Sequence, residues 1–127
     1  MMKIATWNVA YGRGHATNLR RKKAIDVASA DTWILTETHD DLLPGRIGEH
    51  TPIHSLQRTS QAQGVVTGSR WVSIWSRLPV IHVETRLHDP HRTSACTVIG
   101  EFGSLLVFGA VLPWYGDDEN RKLPDQS

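Results

Sequence analysis

Two polar side chains close apolar runs within the first forty residues: Asn8 ends Ile4-Ala5-Thr6-Trp7-Asn8, and Glu37 comes near the end of Asp31-Thr32-Trp33-Ile34-Leu35-Thr36-Glu37-Thr38. A carboxylate and a carboxamide oxygen are hard ligands, of the kind that hold a divalent cation against a phosphate whose charge must be neutralised before it can be attacked. Magnesium takes only one or two protein carboxylates and keeps several of its waters, so one Glu beside one Asn is a credible partial site. In that reading Glu37 binds the metal directly and Asn8 orients a metal-bound water or the phosphate. A plainer reading makes Asn8 a strand-end turn residue and Glu37 an exposed acid, and on two residues alone it is the better account.

Other polar residues carry less. His39 lies two positions beyond Glu37, within reach of a phosphate held at the same edge, and Arg92 enters a strand from a preceding loop as a candidate phosphate contact. His88-Asp89-Pro90-His91 invites a zinc reading, but Pro90 excludes a helix there and no second ligand pair of suitable spacing follows. His50 and His54 flank Pro52 and read as loop or strand-edge residues. Arg20-Arg21-Lys22-Lys23 spreads its charge around a helix instead of along one stripe, so it reads as a solvated face and not as a nucleic-acid contact. No residue emerges as an acid, base or nucleophile in its own right.

The elements around these residues bring the two leading candidates together. Residues 3 to 9 form a nearly continuous apolar run, the pattern of a strand covered on both faces. Residues 17 to 29 have helical periodicity, with Ala24, Ile25 and Ala28 on one face, Lys22, Lys23 and Asp26 opposite, and Thr17 or Asn18 as N-cap; Leu19 fits neither face. Residues 32 to 37 supply a second strand. A strand, helix, strand order implies a right-handed crossover and parallel strands, so Asn8 and Glu37 are expected at one edge of the sheet, where open α/β sheets place ligands. Beyond Pro44-Gly45 the pattern turns to hairpins. Strands are expected at 64–67 and 71–76 around Gly68-Ser69, and at 79–84 after a tight turn. A further pair, 97–102 and 105–108, should be joined by a type II′ turn with Gly103 in its first central position. The loops at 38–50 and 85–93 are long and polar, and the tail from Tyr115 to Leu123 reads as a loop feeding a helix.

Composition sets broad bounds. A chain of 127 residues with 39% hydrophobic and 21% charged residues is that of one globular domain, residues 1–127, with no membrane-length segment. Fourteen basic residues against thirteen acidic ones leave net charge silent about nucleic acid or acidic lipid. The single Cys96 excludes an internal disulfide, and no secretory signal opens the chain, so a cytoplasmic setting is expected. Trp7, Trp33, Trp71 and Trp75 fall in strand-like runs and read as core packing.

Four stretches in succession resemble one family. Lys3-Ile4-Ala5-Thr6-Trp7-Asn8-Val9 resembles the opening strand of the endonuclease/exonuclease/phosphatase superfamily, which has the deoxyribonuclease-I-like fold. Asp31 through Glu37 resembles the following strand with its metal-binding Glu. The stretch ending Ser76-Arg77-Leu78-Pro79 resembles the Ser-Arg-x-Pro turn, and Val107 through Pro113 stands where a strand enters the active site from its second side. The resemblance implies a mixed α/β sheet with a flanking helix, about half of a four-layer α/β sandwich. It also implies a magnesium-dependent, or manganese-dependent, hydrolase of phosphoester bonds, of nuclease or phosphodiesterase type. It carries over Glu37 as metal ligand and Asn8 as phosphate- or water-orienting ligand. The Asp-x-Asn segment and the Asp-His pair that activate water in the family have no counterpart here. Thr36 stands where Gln is common, and Val111 where many nuclease members carry Tyr.

The expected function is therefore the N-terminal part of a phosphoesterase, inactive alone, acting on a phosphoester that includes nucleic acid among its candidates. A missing C-terminal half or a partner would cover an exposed sheet. The alternative is a non-catalytic interaction module retaining one sheet of the fold.

Overall fold

The computed structural model of the chain describes residues 1–10, 14–58, 67–83 and 89–112. Along the chain run β1 (Ile4–Asn8), α1 (His15–Ala28), β2 (Thr32–His39), β3 (Thr51–His54), β4 (Ser69–Ser76), β5 (Val80–His82), β6 (Thr93–Gly100) and β7 (Gly103–Ala110). They form a four-stranded sheet in the order β1-β2-β4-β3 and a three-stranded sheet in the order β5-β6-β7. The β1–α1–β2 crossover gives parallel neighbours, with Ile4 opposite Thr32 and Asn8 opposite Thr36. All other pairings are antiparallel.

Two apolar clusters define the layers. On one side of the first sheet, Ile25 from α1 is buried with Val9, Ala30, Trp33, Leu35, Leu42 and Trp75. Alternation along the strands sends Ile34, Ile53 and Ile74 to the other side, where they meet Cys96, Val98 and Val107 of the second sheet. The result is helix, mixed sheet, antiparallel sheet. The sheets approach most closely at Gly109, where a Cβ would stand 2.7 Å from Val72 Cγ1 and 2.9 Å from Ile34 Cγ2. The glycine is there because no side chain fits.

Several expectations need correction. The run at residues 3–9 predicts a strand covered on both faces, yet Ile4, Thr6 and Asn8 are exposed. Only the α1 side of β1 is packed, through Ala5 and Trp7, because the second sheet lies over β2, β3 and β4. The chain keeps parts of two sheets, not one, and the exposed apolar side chains include Ile81, Ile99 and Leu106 of the second sheet. Helix α1 starts at His15, with Gly14 at its N-cap and no side-chain cap, so Thr17 and Asn18 fall inside its first turn. Of the predicted apolar face only Ile25 is buried, and Ala24 is exposed.

Gly68-Ser69 is not a hairpin turn, since Ser69 begins β4 and pairs with His39. Most of the strand expected at 64–67, the break at Gly12, His88 and the tail from residue 113 lie outside the described residues. In the last hairpin Gly100 pairs with Gly103, which makes Glu101-Phe102 the central residues. Neither has a positive φ, as a type II′ turn would require at its first central position, and Gly103 at φ +101° returns the chain to the strand. β3 was missed because Pro52 breaks the strand pattern; as an edge strand it tolerates the lost donor.

Candidate functional site

Asn8 and Glu37 lie at the same sheet edge. The parallel register sets Asn8 beside Thr36, the residue before Glu37, and the Val9 amide closes the ladder by donating to the Thr36 carbonyl at 3.0 Å. The Asn8 carboxamide oxygen accepts from the Ala10 amide at 3.0 Å, an Asx turn that fixes the side chain where the strand ends. That bond takes one lone pair of the oxygen and leaves the other.

Glu37 is unusual in its backbone. It sits inside β2 at φ +49°, the left-handed region, which an L-residue enters at a cost of roughly 1–2 kcal/mol. Strict alternation would put Glu37 on the face opposite Thr36 and hence opposite Asn8. A left-handed residue leaves the pleat and is released from that assignment. The carboxylate, on a half-buried residue, makes no hydrogen bond or ion pair among the described residues. Strain of this kind collects where function requires a particular side-chain position.

The other two candidates reach the same edge but are occupied differently. The His39 Nε2 faces the Thr67 carbonyl at 2.7 Å, and its Nδ1 accepts from the Asp41 amide at 3.1 Å. Both ring nitrogens are thus engaged in holding the loop after β2, with the proton on Nε2. Gly68 is required beneath it, since a Cβ would lie 2.8 Å from the ring. Arg92 is only 4% exposed, and its guanidinium lies 4.4 Å from the centre of the Trp71 ring, with Nε 3.8 Å from Asp89.

The register of β2 with β4 adds residues that the sequence did not single out. Arg58 stacks 4.2 Å from the same Trp71 ring, so the indole is flanked by two cations. Arg70 makes a bidentate pair with Asp40, at 3.0 Å and 2.9 Å. Burial alone would raise the Asp40 pKa, but the hydrogen bonds and charge of Arg70 outweigh it and hold the carboxyl below its ordinary range. His54 Nδ1 lies 2.7 Å from Ser73 Oγ, and its Nε2 is 3.9 Å from Asp40. These are the residue types of a hydrolytic triad, but Ser73 is 1% exposed and cannot meet a substrate. No spacing signal in the sequence links residues 40, 54, 58, 70 and 71; only the strand register joins them.

The donor set suits a hard cation that keeps its waters. Among the described residues no group of three His, Cys, Asp or Glu side chains could enclose a metal, which excludes a closed zinc-type cage there. One unpaired carboxylate and one amide oxygen fit the sparse protein coordination of magnesium.

No family profile matches the chain, and no curated protein sequence matches it. Two solved structures do. The endonuclease domain of TRAS1, a telomere-specific non-LTR retrotransposon, superposes with a TM-score of 0.58 at 13% identity, over 88% of this chain and 46% of that one. An endonuclease/exonuclease/phosphatase protein from Beutenbergia cavernae gives a TM-score of 0.59 at 19% identity, over 91% of this chain and 39% of that one. The chain thus spans less than half the length of either neighbour, and over that span it shares their fold.

Proposed function

We propose that the chain carries the ligand half of a magnesium-dependent site for phosphoester hydrolysis, with Glu37 as the metal ligand and Asn8 as the group that orients a water or phosphate. One observation supports this above the others: a carboxylate with no partner among the described residues is held in a strained backbone, one residue beyond the rung that fixes Asn8. When bound, magnesium would supply charge neutralisation on the phosphate. The chain's own residues would position it, and the partly exposed Arg58 guanidinium adds a positive group at the same edge for an anionic substrate. Nucleic acid is the substrate class suggested by the endonuclease neighbour. Manganese would serve as a substitute ion.

Among the described residues at this edge His39 and His54 are both engaged in structural contacts and leave no group to activate water. The chain alone should therefore bind magnesium without turning over a generic phosphodiester such as bis(p-nitrophenyl) phosphate. The test is a magnesium titration followed by amide chemical shifts. Changes should centre on residues 8–10 and 36–38 and disappear in Glu37→Gln. Saturable shifts elsewhere, or equal shifts in the variant, would overturn the assignment. Robust hydrolysis lost in Glu37→Ala would place water activation within this chain.

The second reading, a non-catalytic interaction module, is favoured by a different feature, the exposed apolar side chains of Ile81, Ile99 and Leu106 on the second sheet. It predicts no saturable magnesium binding at Glu37.

A further inference from the structure

At the end of the first sheet away from Asn8 and Glu37, where Thr32 opens β2 and Arg77 follows β4, a cavity of about 250 Å³ lies between α1 and residues 45–50. Ile25, Ala30 and Trp33, all buried, give it an apolar wall. His50 lines it too and is only 9% exposed, yet neither of its ring nitrogens makes a hydrogen bond of good geometry among the described residues. The surrounding chain makes room for the ring. A Cβ at Gly45 would stand 3.0 Å from His50 Cε1, and the Gly45 amide ties its loop to α1 by donating to the Asp26 carboxylate at 3.1 Å. Leaving a buried polar group without partners costs stability, so such a group calls for something that satisfies it.

The neighbouring charges limit what that can be. Asp26 is paired with Lys22 at 3.0 Å, and Arg77 with Asp31 at 2.9 Å and Glu49 at 3.6 Å. Both signs are present and compensate each other, so neither an anion nor a cation gains by entering. Burial keeps the imidazole neutral at neutral pH, and a neutral ring has one N–H donor and one bare nitrogen. The Ala30 backbone lies beside the ring, and its carbonyl is the natural acceptor for the N–H, which leaves the bare nitrogen for a donor from outside. Arg77 uses two of its five N–H donors in hydrogen bonds, to Ser29 and Asp31, and has others for a carbonyl.

We propose that this cavity binds a small uncharged molecule with an N–H beside a carbonyl, the edge of a cyclic amide such as a pyrimidine lactam. Its N–H is donated to His50, its carbonyl accepts from Arg77, and its ring lies against the apolar wall. The volume is below the roughly 300–1,000 Å³ of sites for drug-sized ligands and suits one flat ring. The cavity is at the sheet end opposite Glu37, so this inference is independent of the proposed chemistry.

Uracil titrated into the whole chain, followed by the His50 ring and Trp33 indole resonances, tests it. Saturable shifts are expected, with a dissociation constant on the order of 1 mM. Uracil methylated on both ring nitrogens keeps the ring and loses the N–H, and should bind at least about tenfold more weakly; it needs no variant, so no folding defect can confuse it. His50→Leu should lose uracil binding, with the Asn8 and Glu37 amide resonances unmoved. Absence of saturable shifts up to roughly 20 mM overturns the proposal and leaves the ring to ordered water. Equal binding of the methylated compound, or of uracil by His50→Leu, overturns it as well, and so does inorganic phosphate shifting the same resonances, which would mark an anion site.

Discussion

Replacing Glu37 by glycine should stabilise the fold while abolishing the site. At φ +49° an L-residue bears a strain of roughly 1–2 kcal/mol, and glycine bears almost none. Glycine also gains freedom in the unfolded chain, a loss of about 0.5–1 kcal/mol of stability, leaving a net gain of roughly 0.5–1 kcal/mol. Glu37→Ala is the control, since it removes the same carboxylate and keeps the strained backbone. Urea titrations of the three proteins should rank the glycine variant about 0.5–1 kcal/mol above the alanine variant, which corresponds to a midpoint difference of a few °C on heating. Magnesium supplies the second axis. At ten times its dissociation constant it should add about 1.4 kcal/mol to the native chain by mass action and nothing to either variant. A glycine variant no more stable than the alanine variant would refute the claim that strain is stored at residue 37. Equal magnesium stabilisation of all three would refute the metal assignment and leave the strain unexplained.

Two further outcomes follow from the packing. Gly109→Ala should destabilise the chain by about 1–3 kcal/mol, because its Cβ would fall 2.7 Å from Val72 and 2.9 Å from Ile34 between two sheets with no room to part; a denaturant midpoint equal to the native one would show that the sheets can slide there. His50 is buried beside the Ala30 backbone, Glu49 and Arg77, and neither of its ring nitrogens makes a hydrogen bond of good geometry among the described residues. Burial depresses its pKa below 6.5, and burial does the same to His54. The unfolded chain then takes up protons that the folded one refuses, so stability should be full above the ordinary histidine pKa and fall as pH drops below it. His50→Leu should flatten that fall, as measured by urea midpoints at pH 7.5 and 5.5, and an unchanged slope would remove His50 from the account.

The parts of this fold that were legible in the sequence depend on local pattern. The crossover from β1 through α1 to β2 could be read because a helix between two apolar runs returns the chain as a parallel strand, and the parallel direction puts residues 8 and 37 at one edge. The hairpin of β6 and β7 was legible for its strands, and its turn was misplaced by two residues because three glycines within ten positions offer competing turn sites. What was not legible depends on partners distant in sequence. The strand expected at 79–84 is found as β5, whereas β3 is recognisable only by its pairing with β4. Trp71 reads as core packing from its run, and it is indeed 3% exposed; the Arg58 and Arg92 guanidiniums on its ring follow only from the folded chain.

The strained residue is the point at which local and global reasoning part. A β-branched and aromatic run, Thr32-Trp33-Ile34-Leu35-Thr36, favours extended backbone throughout, and nothing in it signals a left-handed residue at its end. Glutamate is a poor choice for that conformation, where Asn, Asp or Gly would cost less. A position free to optimise stability would have taken one of them. The carboxylate is retained at a measurable cost, on a residue whose side chain has no structural partner among the described residues, beside an Asn whose own position is fixed by the last rungs of a parallel ladder. Core packing does not require Glu37, since the adjoining core is completed by Leu35 on one side of the sheet and Ile34 on the other. This is the feature on which the proposed cation site rests, since the oxygen donors at this edge are of the type that a hard cation takes.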